Sequence, residues 1–273
     1  MKMIKKYILC EKSLMTLVCV FLTVATPVRS FAWYSSEAVS GSLPPDTCAL
    51  PDSQNEPVNK LKEKKLGRLL KEIDRNYNSY ASSWKNLPLA HEAFDLMRDG
   101  LPLRAEGGIT PYTRIVMLDK MVDCLPERDC ARLILAVREY QMSMFPLISD
   151  GDIAEDMKID EYEGDPARYA RSVTEDDIRK SLKRTEDFLN PRISMERWCR
   201  EYGIRLKFDP VEMSEEWENV IYDVERECDE ILQDEVKGMG FCYKYWSTKK
   251  EALARRGIDW SSPSTMNPRV IFD

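Results

Sequence analysis

Between Pro57 and Tyr77 the apolar residues Leu61, Leu66, Leu69, Leu70, Ile73 and Tyr77 recur at three- and four-residue steps, with Lys and Arg between them. That is the period of one helix face, and Pro57 suits the first turn, where its missing N–H costs nothing. A shorter helix is expected over about 89–98, stopped by Gly100 and Pro102. Thr110-Pro111 supplies an N-cap and a first helical residue for a helix running to about Val122. Pro126 opens another over 127–144, with Leu133, Leu135, Ala136, Tyr140 and Met144 as inward positions.

Thr174-Glu-Asp-Asp177 is a capping box with Asp in place of Glu, and its helix runs to Leu189 before Asn190-Pro191. ISMERWCREY gives one more helix, ended by Gly203. Residues 204–208, IRLKF, alternate and predict at most one short isolated strand. From Ser214 to about Val236 the residues Trp217, Val220, Ile221, Val224, Cys228, Ile231 and Leu232 form one apolar stripe on an otherwise acidic helix. Gly238 and Gly240 end it, and a basic helix, FCYKYWSTKKEALARR, follows at once. The two spell an antiparallel hairpin with complementary flanks.

FCYKYW (241–246) resembles an aromatic platform, but helical register answers otherwise. Cys242, Trp246, Lys249 and Leu253 share one face, and Phe241, Tyr245, Thr248 and Ala252 the adjacent one. Only Tyr243 falls well outside this sector. With Trp260, in the Pro-interrupted tail 257–273, it is a candidate for partner binding. The apolar end of that tail, Val270-Ile271-Phe272, is expected to fold back on the body.

The expected fold is therefore all-α: seven or eight helices in a disulfide-stapled bundle. A first helical half covers 57–145 and a second 174–256, separated by an acidic loop at 146–173. The core of that loop, 149–165, holds eight carboxylates and one lysine. Residues 33–56, rich in Ser and Pro, read as a flexible N-terminal arm.

The N-terminus changes the picture of where this bundle resides. Lys2, Lys5, Lys6 and Lys12 precede an apolar run from Leu14 to about Val28, and Ser30-Phe31-Ala32 offers small residues for cleavage after Ala32. This is the pattern of a signal peptide over 1–32. No Asn carries a Ser or Thr two positions on, so there is no glycosylation acceptor. Export is the expectation, to a bacterial periplasm or as a secreted protein, with no integral membrane span after cleavage.

The full chain has 40 basic and 47 acidic side chains; without the leader's five basic and one acidic residue, 35 stand against 46, a net charge of −11. Such a balance disfavours nucleic acid as a partner. A protein or an envelope component is expected instead. Six cysteines lie beyond the leader, Cys48, Cys124, Cys130, Cys199, Cys228 and Cys242. In an exported chain an even count favours disulfides, with Cys124 and Cys130 as the one local pairing candidate.

Candidate chemistry is sparse. Asp150, Asp152 and Glu161 start an EF-hand register, but Ala154 and Glu155 break it, so a solvated loop is expected rather than a calcium site. His91 is the sole histidine and completes no metal or nucleophile motif. Glu106, before Gly107-Gly108, and Glu196, beside Trp198, are the carboxylates with some claim to glycosidase chemistry. No phosphate-loop or dinucleotide spacing occurs, and no cofactor or metal is expected. The leading expectation is a non-catalytic interaction, accessory or inhibitor protein. A carboxylate-dependent hydrolase acting on cell-wall or other glycans, and a small-ligand or calcium-binding module, are the alternatives.

Overall fold

The computed structural model describes residues 56–78, 83–103, 109–149 and 173–272. The leader, the arm with Cys48, Glu106 with its glycine pair, and the acidic stretch 150–165 lie outside them. The described residues form nine α-helices and no strand. They are α1 (Glu56–Asn78), α2 (Asn86–Asp95), α3 (Pro111–Asp123), α4 (Ala131–Met144), α5 (Glu175–Leu189), α6 (Met195–Glu201), α7 (Glu215–Leu232), α8 (Phe241–Ala254) and α9 (Pro263–Met266).

Local chemistry accounts for most starts and stops. The Thr110 side chain accepts from Thr113 N at 3.1 Å, with Pro111 at the first helical position. Thr174 and Asp177 close the capping box reciprocally. Ser194 and Ser214 cap α6 and α7 more simply, their hydroxyls accepting from Arg197 N and Trp217 N. Gly240, at φ +78°, sets the left-handed turn that enters α8.

Some boundaries differ from the pattern, each with a cause. The helix expected from 127 begins at Ala131, because Pro126–Asp129 close a turn first, with Asp129 N donating to Pro126 O at 2.9 Å. The helix expected to reach Val236 stops at Leu232. Val236 and Met239, about 90% exposed, stand in the turn instead. Within the expected stripe Ile231 faces solvent. The helix expected over 89–98 begins at Asn86 and widens into a π-turn over Leu96–Gly100.

That π-turn is stabilised by a buried cation. The Arg114 guanidinium, from α3, donates to the carbonyls of Met97, Leu101 (3.1 Å) and Pro102 (3.2 Å), and to Tyr140 Oη at 3.1 Å. Asn86 acts similarly nearby, donating through Nδ2 to Ile73 O and Cys124 O, both at 3.0 Å.

Residues 204–208 are not a strand. Ile204, Leu206 and Phe208 turn inward and Arg205 and Lys207 outward, as the alternation predicted, but among the described residues no second strand pairs with them. The Asn267 side chain stands in: its Oδ1 accepts from Lys207 N at 2.9 Å and its Nδ2 donates to Lys207 O at 2.7 Å.

Three apolar clusters hold the helices. The first draws on α1–α4 and the start of α5, through residues such as Ile73, Phe94, Ile115 and Ile178. The second draws on α7, α8 and the tail, including Trp217, Trp246, Trp260 and Phe272. The third joins Ala131, Phe188, Met195, Trp198, Cys199 and Phe208. Of the apolar tail end, Phe272 is buried edge-on against Trp246 at 5.1 Å, while Ile271 remains exposed.

No disulfide joins any two of the described cysteines, so the staples expected among Cys124, Cys130, Cys199, Cys228 and Cys242 are absent here. All five are buried and distributed over the three clusters. The expected Cys124–Cys130 closure fails because the Cys130 thiol turns onto its own turn and donates to Pro126 O at 3.2 Å. Cys199 likewise contacts the Met195 sulfur at 3.6 Å. They pack as small apolar residues, which is a common role for buried thiols.

Arg114→Met should destabilise the fold by roughly 3 kcal/mol, since it strands several buried carbonyls. Thr174→Ala should cost only about 1 kcal/mol, the value of one cap. Urea denaturation of both variants checks the contrast.

Candidate functional site

The hairpin of α7 and α8 meets the loop 126–130, the extended segment 204–208 and the tail around a cavity of about 300 Å³. Helical register builds one wall. Cys242, Tyr245, Trp246 and Lys249 face inward from α8, while Tyr243 and Lys244 face out. The acidic and basic flanks pair as expected: Lys244 with Glu235 at 2.5 Å, and Arg255 and Arg256 with Glu227.

Lys249 is the unusual member, a lysine only 5% exposed. Its Nζ lies 2.6 Å from Glu225 Oε1, and the Tyr245 hydroxyl donates to Glu225 Oε2 at 2.5 Å. The ammonium also sits 4.9 Å from the Trp217 ring, 5.5 Å from Trp260 and 5.8 Å from Tyr245. Three aromatic faces thus surround a cation that already has a carboxylate partner. Burial opposes the Lys249 charge, but Glu225 and Asp129 outweigh it and raise the group above the ordinary lysine value. Burial raises the Glu225 carboxyl, with Lys249 opposing. Burial and Glu225 push the Tyr245 phenol well up, so it stays a donor.

A second layer of polar groups lines the opposite side. The Trp217 indole donates to Asp129 Oδ1 at 3.0 Å, and the Trp260 indole to Glu212 Oε1 at 2.9 Å. Glu212 also pairs with Arg128, whose guanidinium lies 4.9 Å from the Phe208 ring. Arg184 grips Glu127 with two bonds, at 2.6 and 2.8 Å, and lies 4.9 Å from the Trp198 ring.

The loop that carries Arg128 and Asp129 is anchored from α7. Helix α4 has no side-chain cap of its own at Cys130. Glu218 supplies one across the interface, accepting from Arg132 N at 3.0 Å and pairing with Arg132 Nη1 at 2.8 Å. A carboxylate at a helix N-terminus meets unpaired N–H groups and the positive end of the dipole. Burial raises the Glu218 carboxyl, and Arg132 opposes the shift.

Of the two partner-binding candidates, Tyr243 is exposed, with its ring edge-on to Trp246 at 5.5 Å. Trp260 is buried and lines the cavity, 6.1 Å from Trp217. Glu196 stands exposed in the first turn of α6, and His91 stands exposed on α2. Neither lines the cavity. Among the described residues no group of three or more His, Cys, Asp or Glu side chains could hold a metal ion. No described helix is long and apolar enough to cross a membrane.

Sequence reasoning placed Lys249 on the inward face but did not single out Glu225, Asp129, Glu212 or Arg128. A signal existed for the first of these. Glu225 follows Val224 and precedes Cys228 by one turn, so it interrupts the inward stripe of α7 as Lys249 interrupts that of α8. No family model, curated protein or solved structure matches this chain.

Glu225→Leu should cost about 3–5 kcal/mol, because it leaves the Lys249 ammonium buried without a counter-charge. Combining it with Lys249→Met should recover most of that loss. A double-mutant cycle read by chemical denaturation measures the coupling.

Proposed function

We propose that this chain is a non-catalytic binding protein whose cavity takes a neutral, ring-shaped, hydroxyl-rich ligand, a saccharide unit being the chemical type that fits. The observation that carries this reading is the combination of an indole-rich lining with balanced charge. Trp198, Trp217, Trp246 and Trp260 all line the cavity. Arg128–Glu212 and Arg184–Glu127 are neutral pairs within the lining, Lys249 is neutralised by Glu225 behind the wall, and the remaining Lys207 and Asp129 are one charge of each sign. A strongly charged ligand would find little net attraction there. A neutral ring can pack its apolar side against this indole-rich wall and direct hydroxyls at paired groups that both donate and accept. The volume lies at the lower end of the range for small-ligand sites, which limits the ligand to one or two rings.

Binding is favoured over bond cleavage by the state of the carboxylates. Glycoside hydrolysis requires a protonated acid free to reach the leaving oxygen. Glu225 has the raised affinity for a proton, but it is held by Lys249 and Tyr245. Glu212 is held by Arg128 and Trp260.

The same proposal places the protein outside the cytoplasm. The lysine-rich start, the apolar run from Leu14 and the small residues at Ser30 and Ala32 support an exported chain, so envelope glycans come within its reach.

Calorimetric titration with neutral oligosaccharides should show binding, and Asp129→Asn should weaken it about tenfold, since Asn retains an oxygen for Trp217 but loses the charged acceptor. No heat from any neutral saccharide up to about 10 mM, or equal binding of polyanions, would overturn the reading. N-terminal sequencing of the exported protein should begin at Trp33.

A further inference from the structure

The hairpin meets the first helical half at a second place, one turn along α7 from Glu218. There the 3-10 turn Ser83–Lys85 packs against α7, with the Trp84 ring 5.4 Å from that of Tyr222. Two turns further along the same face comes Asp229, fully buried, and neither of its carboxylate oxygens has a hydrogen-bond partner. The indole N–H of Trp84, also buried, has none either. A carboxylate in this situation has lost its water and gained nothing, a cost that protonation removes.

Charged groups surround it without bonding to it. Lys85 on the 3-10 turn and Lys237, beyond the end of α7, favour the ionised form, while Glu225 and Glu230 on α7 itself disfavour it. From α8, Lys249 and Tyr245 spend themselves on Glu225, one turn away. Lys85 is itself poorly placed, because burial lowers its affinity for a proton, with Asp229 opposing. Its ammonium lies 5.7 Å from the Trp84 ring.

We propose that Asp229 is a proton-sensitive latch: uncharged, it lets the 83–85 turn seat on α7, and ionised, it loosens that contact. The inference is independent of what the cavity binds. One proton moves from solvent to a carboxylate oxygen and back, and no other bond changes. Burial lifts the Asp229 carboxyl to about 6, with Lys85 and Lys237 restraining it, so the change falls in a mildly acidic range. The folded state then binds more protons than the unfolded one between about pH 4 and 6, so stability falls as pH rises through that window. Below it both states are protonated, and above it the full penalty persists.

Denaturation of the wild-type chain and Asp229→Asn, compared across about pH 4.5–8, isolates this group from other titrating carboxylates. The unfolding equilibrium constant of the wild type should rise, relative to the variant, by about tenfold over the window, allowing for solvent screening. Amide exchange at 83–86 should speed up with pH beyond its intrinsic rate in the wild type alone. Parallel stability curves, or a variant less stable at every pH, would overturn the proposal. Should the variant not fold, carbon-detected NMR titration of Asp229 in the wild type decides: a midpoint near about 6 supports the latch, and one below about 4.5 sinks it.

Discussion

A lysine ammonium is buried in the core of the α7–α8 hairpin, and the surrounding structure is organised by the need to accommodate it. An isolated charge in that position would be too costly to keep. Glu225 supplies the counter-charge, Tyr245 supports Glu225 from behind, and the rings of Trp217 and Trp260 close over the cation. The arrangement demands one register between α7 and α8, because only that register brings Glu225 and Lys249 together. It also demands that the tail return, because Trp260 comes from there. A purely apolar hairpin could slide; this one cannot without separating a buried pair.

The second requirement is set by α4, which begins at Cys130 without a side-chain cap. Its unpaired N–H groups are satisfied by Glu218 from α7, and the preceding loop gives Arg128 to Glu212 and Asp129 to Trp217. One carboxylate-rich stretch of chain therefore completes a helix in a different cluster. The cavity lies where these two solutions meet, lined by the aromatic residues of the hairpin and the charged residues of the loop. Its walls are structural elements first, held by the same ion pairs and aromatic contacts that fix the hairpin and the loop.

Much of the fold was legible because its causes are local. Thr110, Thr174, Ser214 and Gly240 announce their turns within four residues, and the stripe of α7 and the inward set of α8 follow from helical periodicity alone. The site was legible only in part. Lys249 falls on the inward face by register, but its partner lies 24 residues away, and pairing requires the hairpin angle. Trp217 and Asp129 are 88 residues apart, and Arg128 and Glu212 are 84. Nothing periodic links them. Trp260 looked like a contact residue because the tail has no repeat to assign it a face, and its burial is decided by tertiary packing. The cysteines misled for a different reason: an even count in an exported chain suggests staples, whereas here the thiols fill gaps in the core.

The substitution of one asparagine for a partner strand along 204–208 has a consequence for how the molecule behaves in company. A lone extended segment with alternating side chains offers its backbone to any passing chain of similar shape. Asn267 occupies both bonding groups of Lys207 within that segment, so an incoming chain would have to displace an amide already seated. The tail thus completes this segment as well as a wall of the cavity, and a chain shortened before residue 267 would leave both backbone groups of Lys207 to find another partner.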